Sequence, residues 1–132
     1  MARILIIDSE RPLLNLVGRV CERMGHQVSA HLSGRAGIAA FIRESPDLVI
    51  TQLRIPDVNG LQIIRDCMAH DPNAKFLALS GYDGVEGGEA AVMLGAMGYQ
   101  LIPCALEEME RTIQQVLAKG GNANPPTDSS AI

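Results

Sequence analysis

Residues 46–60 read Pro46-Asp47-Leu48-Val49-Ile50-Thr51-Gln52-Leu53-Arg54-Ile55-Pro56-Asp57-Val58-Asn59-Gly60. The first half is a run of apolar and β-branched residues with the length of a strand buried on both faces. The second half gathers Pro56, Asp57, Asn59 and Gly60, residues that set up a tight loop. A strand covered on both faces belongs to a parallel sheet flanked by helices, so its neighbours in sequence should alternate helix and strand.

Working outward, that alternation is found. Residues 3–7 (Arg-Ile-Leu-Ile-Ile) form a first apolar strand, and 11–24 carry Leu13, Leu14, Leu16, Val17, Val20, Cys21 and Met24 at helical spacing, closed by Gly25. Gln27 to Leu32 is a shorter, more polar strand suited to a place near the sheet edge. Ser33 is placed to cap a helix running to Glu44. Asp47 to Gln52 is the third strand and Leu61 to His70 the third helix. Lys75 to Leu79 is the fourth strand. A loop containing Gly81, Gly84, Gly87 and Gly88 follows, and Glu89 to Met97 is the fourth helix, closed by Gly98. Tyr99 to Ile102 is a short fifth strand and Leu106 to Lys119 the last helix. The glycine-rich loop has neither the Gly-x-Gly-x-x-Gly nor the P-loop spacing, so it reads as a flexible connection, not a phosphate cradle.

Five β–α units without an internal repeat predict an α/β domain, a five-stranded parallel sheet of flavodoxin-like order 2-1-3-4-5 with five helices on both faces. Sites in such sheets gather at the carboxyl ends of the strands. In this chain those ends carry Asp8 and Ser9, Gln52, Ser80 and Ile102.

The 132 residues suit one domain over 1–119, with 120–132 having the composition of a tail or linker. With no apolar run near the ~20 residues that cross a bilayer, and no cleavable leader at the amino terminus, the expectation is a cytoplasmic protein without membrane contact. A net charge of −4 with no basic block argues against nucleic-acid binding by this domain, and 3% aromatic residues argue against a base-stacking platform. Three widely spaced cysteines form neither a metal pattern nor a disulfide framework. His26, His31 and His70 fall away from the strand-end cluster and form no metal pair, so no catalytic set is suggested and the chain is expected not to be an enzyme.

Five landmarks in order give a resemblance over roughly residues 2–119: Asp8-Ser9-Glu10, the segment from Pro46 to Gly60, Ser80-Gly81, Gly95-Ala96 and Ile102-Pro103. Together they resemble the response-regulator receiver domains of two-component signalling, the CheY-like members of the flavodoxin-like fold. The resemblance implies an aspartate phosphoacceptor at position 52, two adjacent acids after strand one that help hold Mg²⁺, a hydroxyl at position 80 and a lysine at position 102. This chain departs from that pattern at three places. Gln52 is an amide, a poor nucleophile that cannot form an acyl phosphate. Ser9 stands at the second acid position, leaving Asp8 as a weak metal candidate, with Glu10 either a substitute ligand or simply an acid at a helix start. Ile102 cannot make the ion pair that a lysine would. Anionic and cationic members of the pocket are lost together.

The expectation is therefore a degenerate pseudo-receiver in bacterial signal transduction, with Mg²⁺ binding weak or absent, that acts through protein contacts and without phosphorylation. Alternatives are a switch still responsive to Mg²⁺ or a phosphodonor through Ser9, Thr51 or Asp57, or a regulatory piece of a longer response regulator. Ser80 reads equally as a hydroxyl kept from the family pocket and as a turn-capping serine. Tyr99 matches an aromatic that moves inward on activation in many receivers, and also reads as an ordinary half-buried tyrosine. On helix four, Val92, Met93 and Met97 are either an exposed contact patch or part of a helix lying flat on the sheet. The partner expected is a histidine kinase, an output domain or another signalling protein, with a homodimer as a further option.

Overall fold

The computed structural model describes residues 1–119; the stretch expected to be a tail, 120–132, lies outside the described residues. Ten elements alternate along the chain: β1 (Arg3–Ile7), α1 (Arg11–Arg23), β2 (Gln27–His31), α2 (Gly34–Glu44), β3 (Leu48–Gln52), α3 (Gly60–His70), β4 (Phe76–Ser80), α4 (Gly84–Met93), β5 (Gly98–Leu101) and α5 (Leu106–Ala118). The five strands are parallel and lie in the order β2-β1-β3-β4-β5. Among the described residues no helix is long and apolar enough to cross a membrane.

Strand alternation splits the core in two. Leu5, Ile7, Val49, Phe76 and Ala78 point to the face covered by α2, α3 and α4, where Phe41, Ile63, Ile64 and Ala91 meet them. Ile4, Ile6, Leu48, Ile50, Leu77 and Leu79 point to the other face, against Leu14, Val17 and Val20 of α1 and Met109, Ile113 and Val116 of α5. The central strands β3 and β4 are buried along their whole length, whereas β2 is only partly covered, in keeping with its place at the sheet edge.

Local signals set the helix starts. Ser33 Oγ accepts from the Ala36 N–H at 3.1 Å, and Asn59 Oδ1 accepts from the Gln62 N–H at 3.0 Å, each satisfying a donor that the first turn cannot.

The fourth helix departs from expectation. It runs Gly84–Met93, so most of the supposed flexible loop is its first turns. The glycines are there for contact. A Cβ at Gly88 would stand 2.2 Å from Tyr99 Cδ1, and one at Gly87 would stand 2.4 Å from Asp83 Cβ. Each glycine costs a helix about 0.5–1 kcal/mol relative to alanine, and close packing, of Gly88 on Tyr99 of β5 and of Gly87 against Asp83, Leu53 and Ser80, offsets that cost. The helix ends early because Gly95 adopts a φ of 119°, the left-handed conformation that closes helices. Met97 is consequently not on the helix. Its N–H bonds the Phe76 carbonyl at 2.8 Å and its side chain packs on the α1/α5 side.

Candidate functional site

The register fixes the site. Ile7 pairs with Thr51, so Asp8 and Gln52 follow one step later on adjacent strands. Ile6 and Ile50 face α1 and α5, so by alternation Asp8 and Gln52 face that way too. Asp8 is fully buried and Gln52 is 9% exposed. Asp8 Oδ1 accepts the Glu10 N–H at 2.8 Å. Asp8 Oδ2 and Gln52 Oε1 are buried with no hydrogen-bond partner. Burial pushes the Asp8 carboxyl up from 3.8 to about 6; the Glu10 N–H pulls it down, and the Glu10 charge pushes it further up.

Gln52 forms part of a cleft of about 910 Å³. Its apolar wall comes from Pro12, Leu13 and Leu16 of α1 and from Ile102 and Pro103 after β5. Glu10, Arg54, Gly81, Tyr82 and Asp83 complete the lining. Arg54 Nη2 bonds Asp83 Oδ1 at 3.0 Å, and its guanidinium lies 5.2 Å from the Tyr82 ring centroid. This bracket ties the β3–α3 loop to the start of α4 across the mouth of the site.

Of the residues singled out in the sequence, Asp8 and Gln52 stand side by side, and Gln52 and Ile102 share the cleft. Ser80 sits one step past the Gln52–Leu79 pair, but its hydroxyl donates to the Gly84 carbonyl at 2.7 Å, so it caps the turn into α4. Ser9 is half-buried and Glu10 exposed. Thr51 is fully buried and donates to the Gln52 carbonyl at 3.0 Å. Asp57 accepts the N–H groups of Gly34 and Arg35 at 2.8 and 3.0 Å, which hold its carboxyl below the ordinary value. It acts as a remote cap for α2.

Tyr99 is half-buried on the opposite face of the sheet, beneath Gly88. On α4, Gly88 and Ala91 are buried while Val92 and Met93 are 43% and 86% exposed, so the helix neither lies flat nor carries its patch as far as Met97. The Arg54–Asp83–Tyr82 bracket and the α1 wall escaped the sequence reading. A large aromatic within a glycine-rich stretch was the available signal for Tyr82.

The residues do not fit Mg²⁺. That ion prefers near-octahedral oxygen coordination with anionic ligands. Here one carboxylate oxygen and one amide oxygen are free, and the described residues hold no group of three or more His, Cys, Asp or Glu able to share a metal.

The family model for the response regulator receiver domain matches residues 4–114. The chain is 30% identical over 97% of its length to the transcriptional regulatory protein TrcR of Mycobacterium tuberculosis, of which it covers 50%. It is 23% identical over 91% of its length to the sporulation initiation phosphotransferase F of Bacillus subtilis, covering 97% of that protein. A solved response regulator receiver domain protein from Clostridium thermocellum superposes with a TM-score of 0.82 at 26% identity, over 89% of this chain and 94% of the other. The chain thus spans half the length of the first relative and nearly all of the second. On the family match, the strand order and the landmark residues together, this chain belongs to the response regulator receiver domain family.

Proposed function

We propose that this receiver domain serves bacterial two-component signalling as a phosphorylation-independent contact module in the cytoplasm. One observation carries the reading: the β3 end that should present a nucleophilic carboxylate presents the Gln52 amide, with Ile102 instead of a cation in the same cleft. An amide oxygen bears no charge and cannot be converted to an acyl phosphate. Of the other candidates, Thr51 is engaged in a buried hydrogen bond and Asp57 as a cap on α2, and the half-buried Ser9 is the acceptor that the test below must watch.

Signalling then falls to surfaces. Val92 and Met93 on α4, Leu101 at the end of β5 and Leu106 at the start of α5 are all at least 40% exposed. They supply an apolar face for a second copy, an output domain or a kinase. Tyr99 is packed beneath Gly88 and supports this face from behind.

The test is intact-mass spectrometry after incubation with Mg²⁺ and acetyl phosphate, beside a competent receiver. No phosphorylated species is expected from this chain. A covalent phosphate on it, whether a labile acyl phosphate or a stable phosphoester, would overturn the reading, and fragmentation would name the acceptor.

A further inference from the structure

Asp8 Oδ2 and Gln52 Oε1 are two buried acceptors, on neighbouring strands and on one face of the sheet, with no donor. Buried polar groups are met by a partner as a rule, and two acceptors side by side call for a species with several hydrogens to give. Among the described residues no side chain donates to either oxygen, and Ile102 contributes only an alkyl group to the cleft.

The cleft defines the rest of the ligand. Leu13, Leu16, Ile102 and Pro103 give it an apolar wall, and its volume of about 910 Å³ is within the range of small-molecule sites. Glu10 and Asp83 border it and Asp8 adjoins Gln52, while the one cation among its lining residues, Arg54, is already held by Asp83 at 3.0 Å. With Asp83 and Arg54 offsetting each other, Glu10 and Asp8 are left as two carboxylates without a cation, which favours a cation and disfavours an anion.

We propose that this cleft binds a small organic cation, with a primary ammonium head donating to Asp8 and Gln52 and an apolar body lying against Leu13, Leu16 and Ile102. An ammonium has three donors and no acceptor, so it satisfies both oxygens without introducing a new unpaired group. Its bond to the Asp8 carboxylate is of the strong, charge-assisted kind. Entry requires the Gln52 side chain, which borders the cleft, to turn aside from Asp8.

The inference rests on the reading that no phosphoryl group occupies this site, and the two fail separately. Phosphodonor mass spectrometry sinks that reading; the following titration sinks this one. The ¹⁵N-labelled full chain is titrated with n-hexylammonium, n-hexanol and hexanoate at matched ionic strength near neutral pH, reading the Gln52 side-chain amide and the amides of Asp8, Leu13, Leu16 and Ile102. The amine is expected to give saturable shifts there and to bind at least about tenfold tighter than the alcohol, with hexanoate weakest. Asp8→Asn should keep binding of the alcohol and cancel the preference for the amine. Leu16→Lys, at a side chain 44% exposed, should weaken the amine and favour hexanoate. Equal binding of amine and alcohol, a preference for hexanoate in the unaltered chain, or no saturable shift at the cleft overturns the proposal.

Discussion

Replacing Asp8 by asparagine should make this protein more stable. The Asp8 carboxyl is raised from 3.8 to about 6, chiefly by burial. The folded state thus holds the proton more tightly than the unfolded chain, and protonation favours folding. Stability from this group is fully present below about pH 4, falls as pH rises between 3.8 and about 6, and stays low at neutrality. A difference of about two pH units corresponds to about 3 kcal/mol. Asparagine removes the buried charge, keeps an oxygen for the Glu10 N–H and puts a donor where Oδ2 had no partner. The expected gain is about 2–3 kcal/mol near pH 7, vanishing toward about pH 4. Urea unfolding followed by circular dichroism, at a series of pH values on both proteins, measures it. Taking the difference cancels groups common to both, including Asp57, whose lowered value gives stability that is lost only as pH drops through and below the ordinary aspartate range. A variant less stable than the parent near neutrality, or two pH profiles that run parallel between about pH 4 and 6, would show that the Asp8 carboxylate has a partner, and the account of the site would fail.

Three further outcomes follow from the geometry. Gly88→Ala drives a methyl into the Tyr99 ring, so it should cost about 1–3 kcal/mol in thermal unfolding although alanine is the better helix former, and adding Tyr99→Leu should recover part of the loss. Asp57→Ala removes the acceptor for the Gly34 and Arg35 N–H groups; it should destabilise the protein at neutral pH and flatten the fall in stability at acid pH, read by the same urea series. Gln52→Asp alone sets a second carboxylate beside Asp8 with no cation to offset it, and should raise the Asp8 carboxyl further in a ¹³C NMR titration; adding Ile102→Lys from the facing wall should bring it back toward its ordinary value.

How far the sequence led depended on whether a feature is set by local chemistry or by contact at a distance. The buried strands were legible because residues such as Leu48-Val49-Ile50 and Leu77-Ala78-Leu79 face hydrophobic layers on both sides and need no alternation. Ser33 was legible because capping is local, whereas the stop at Gly95 was not: the sequence reading carried the helix on to Met97 and closed it with Gly98. Nor was the start of α4 legible. Gly84, Gly87 and Gly88 carry the propensity of a loop; the Asp83 side chain and the Tyr99 ring explain glycine at 87 and 88, and a φ of 56° explains it at 84. Ser80 shows the same limit: its hydroxyl suited both a pocket and a turn, and only the 2.7 Å bond to the Gly84 carbonyl decides for the turn.

The site itself was half legible, for a related reason. A missing group can be read from one position, but its effect on the groups that remain needs their geometry. Gln52 and Ile102 announce the loss of charge and of chemistry, and the register then puts Gln52 beside Asp8. With an aspartate at position 52 and isoleucine at 102, two carboxylates would share a dry corner without a cation, an arrangement that strongly opposes ionisation of both. With lysine at 102 and glutamine at 52, the ammonium would meet one carboxylate and one amide, still a workable set of bonds. The combination present is neither. It removes one acid and the cation, and leaves Asp8 as a residual charge that burial pushes up to about 6, beside an amide oxygen equally without a donor. A pocket that had merely decayed would be expected to fill such a corner with apolar side chains, because well-packed hydrophobic replacements of buried polar groups are often neutral or stabilising. Retention of Asp8 beneath an open apolar cleft is the physical reason to look for a ligand that brings its own positive charge.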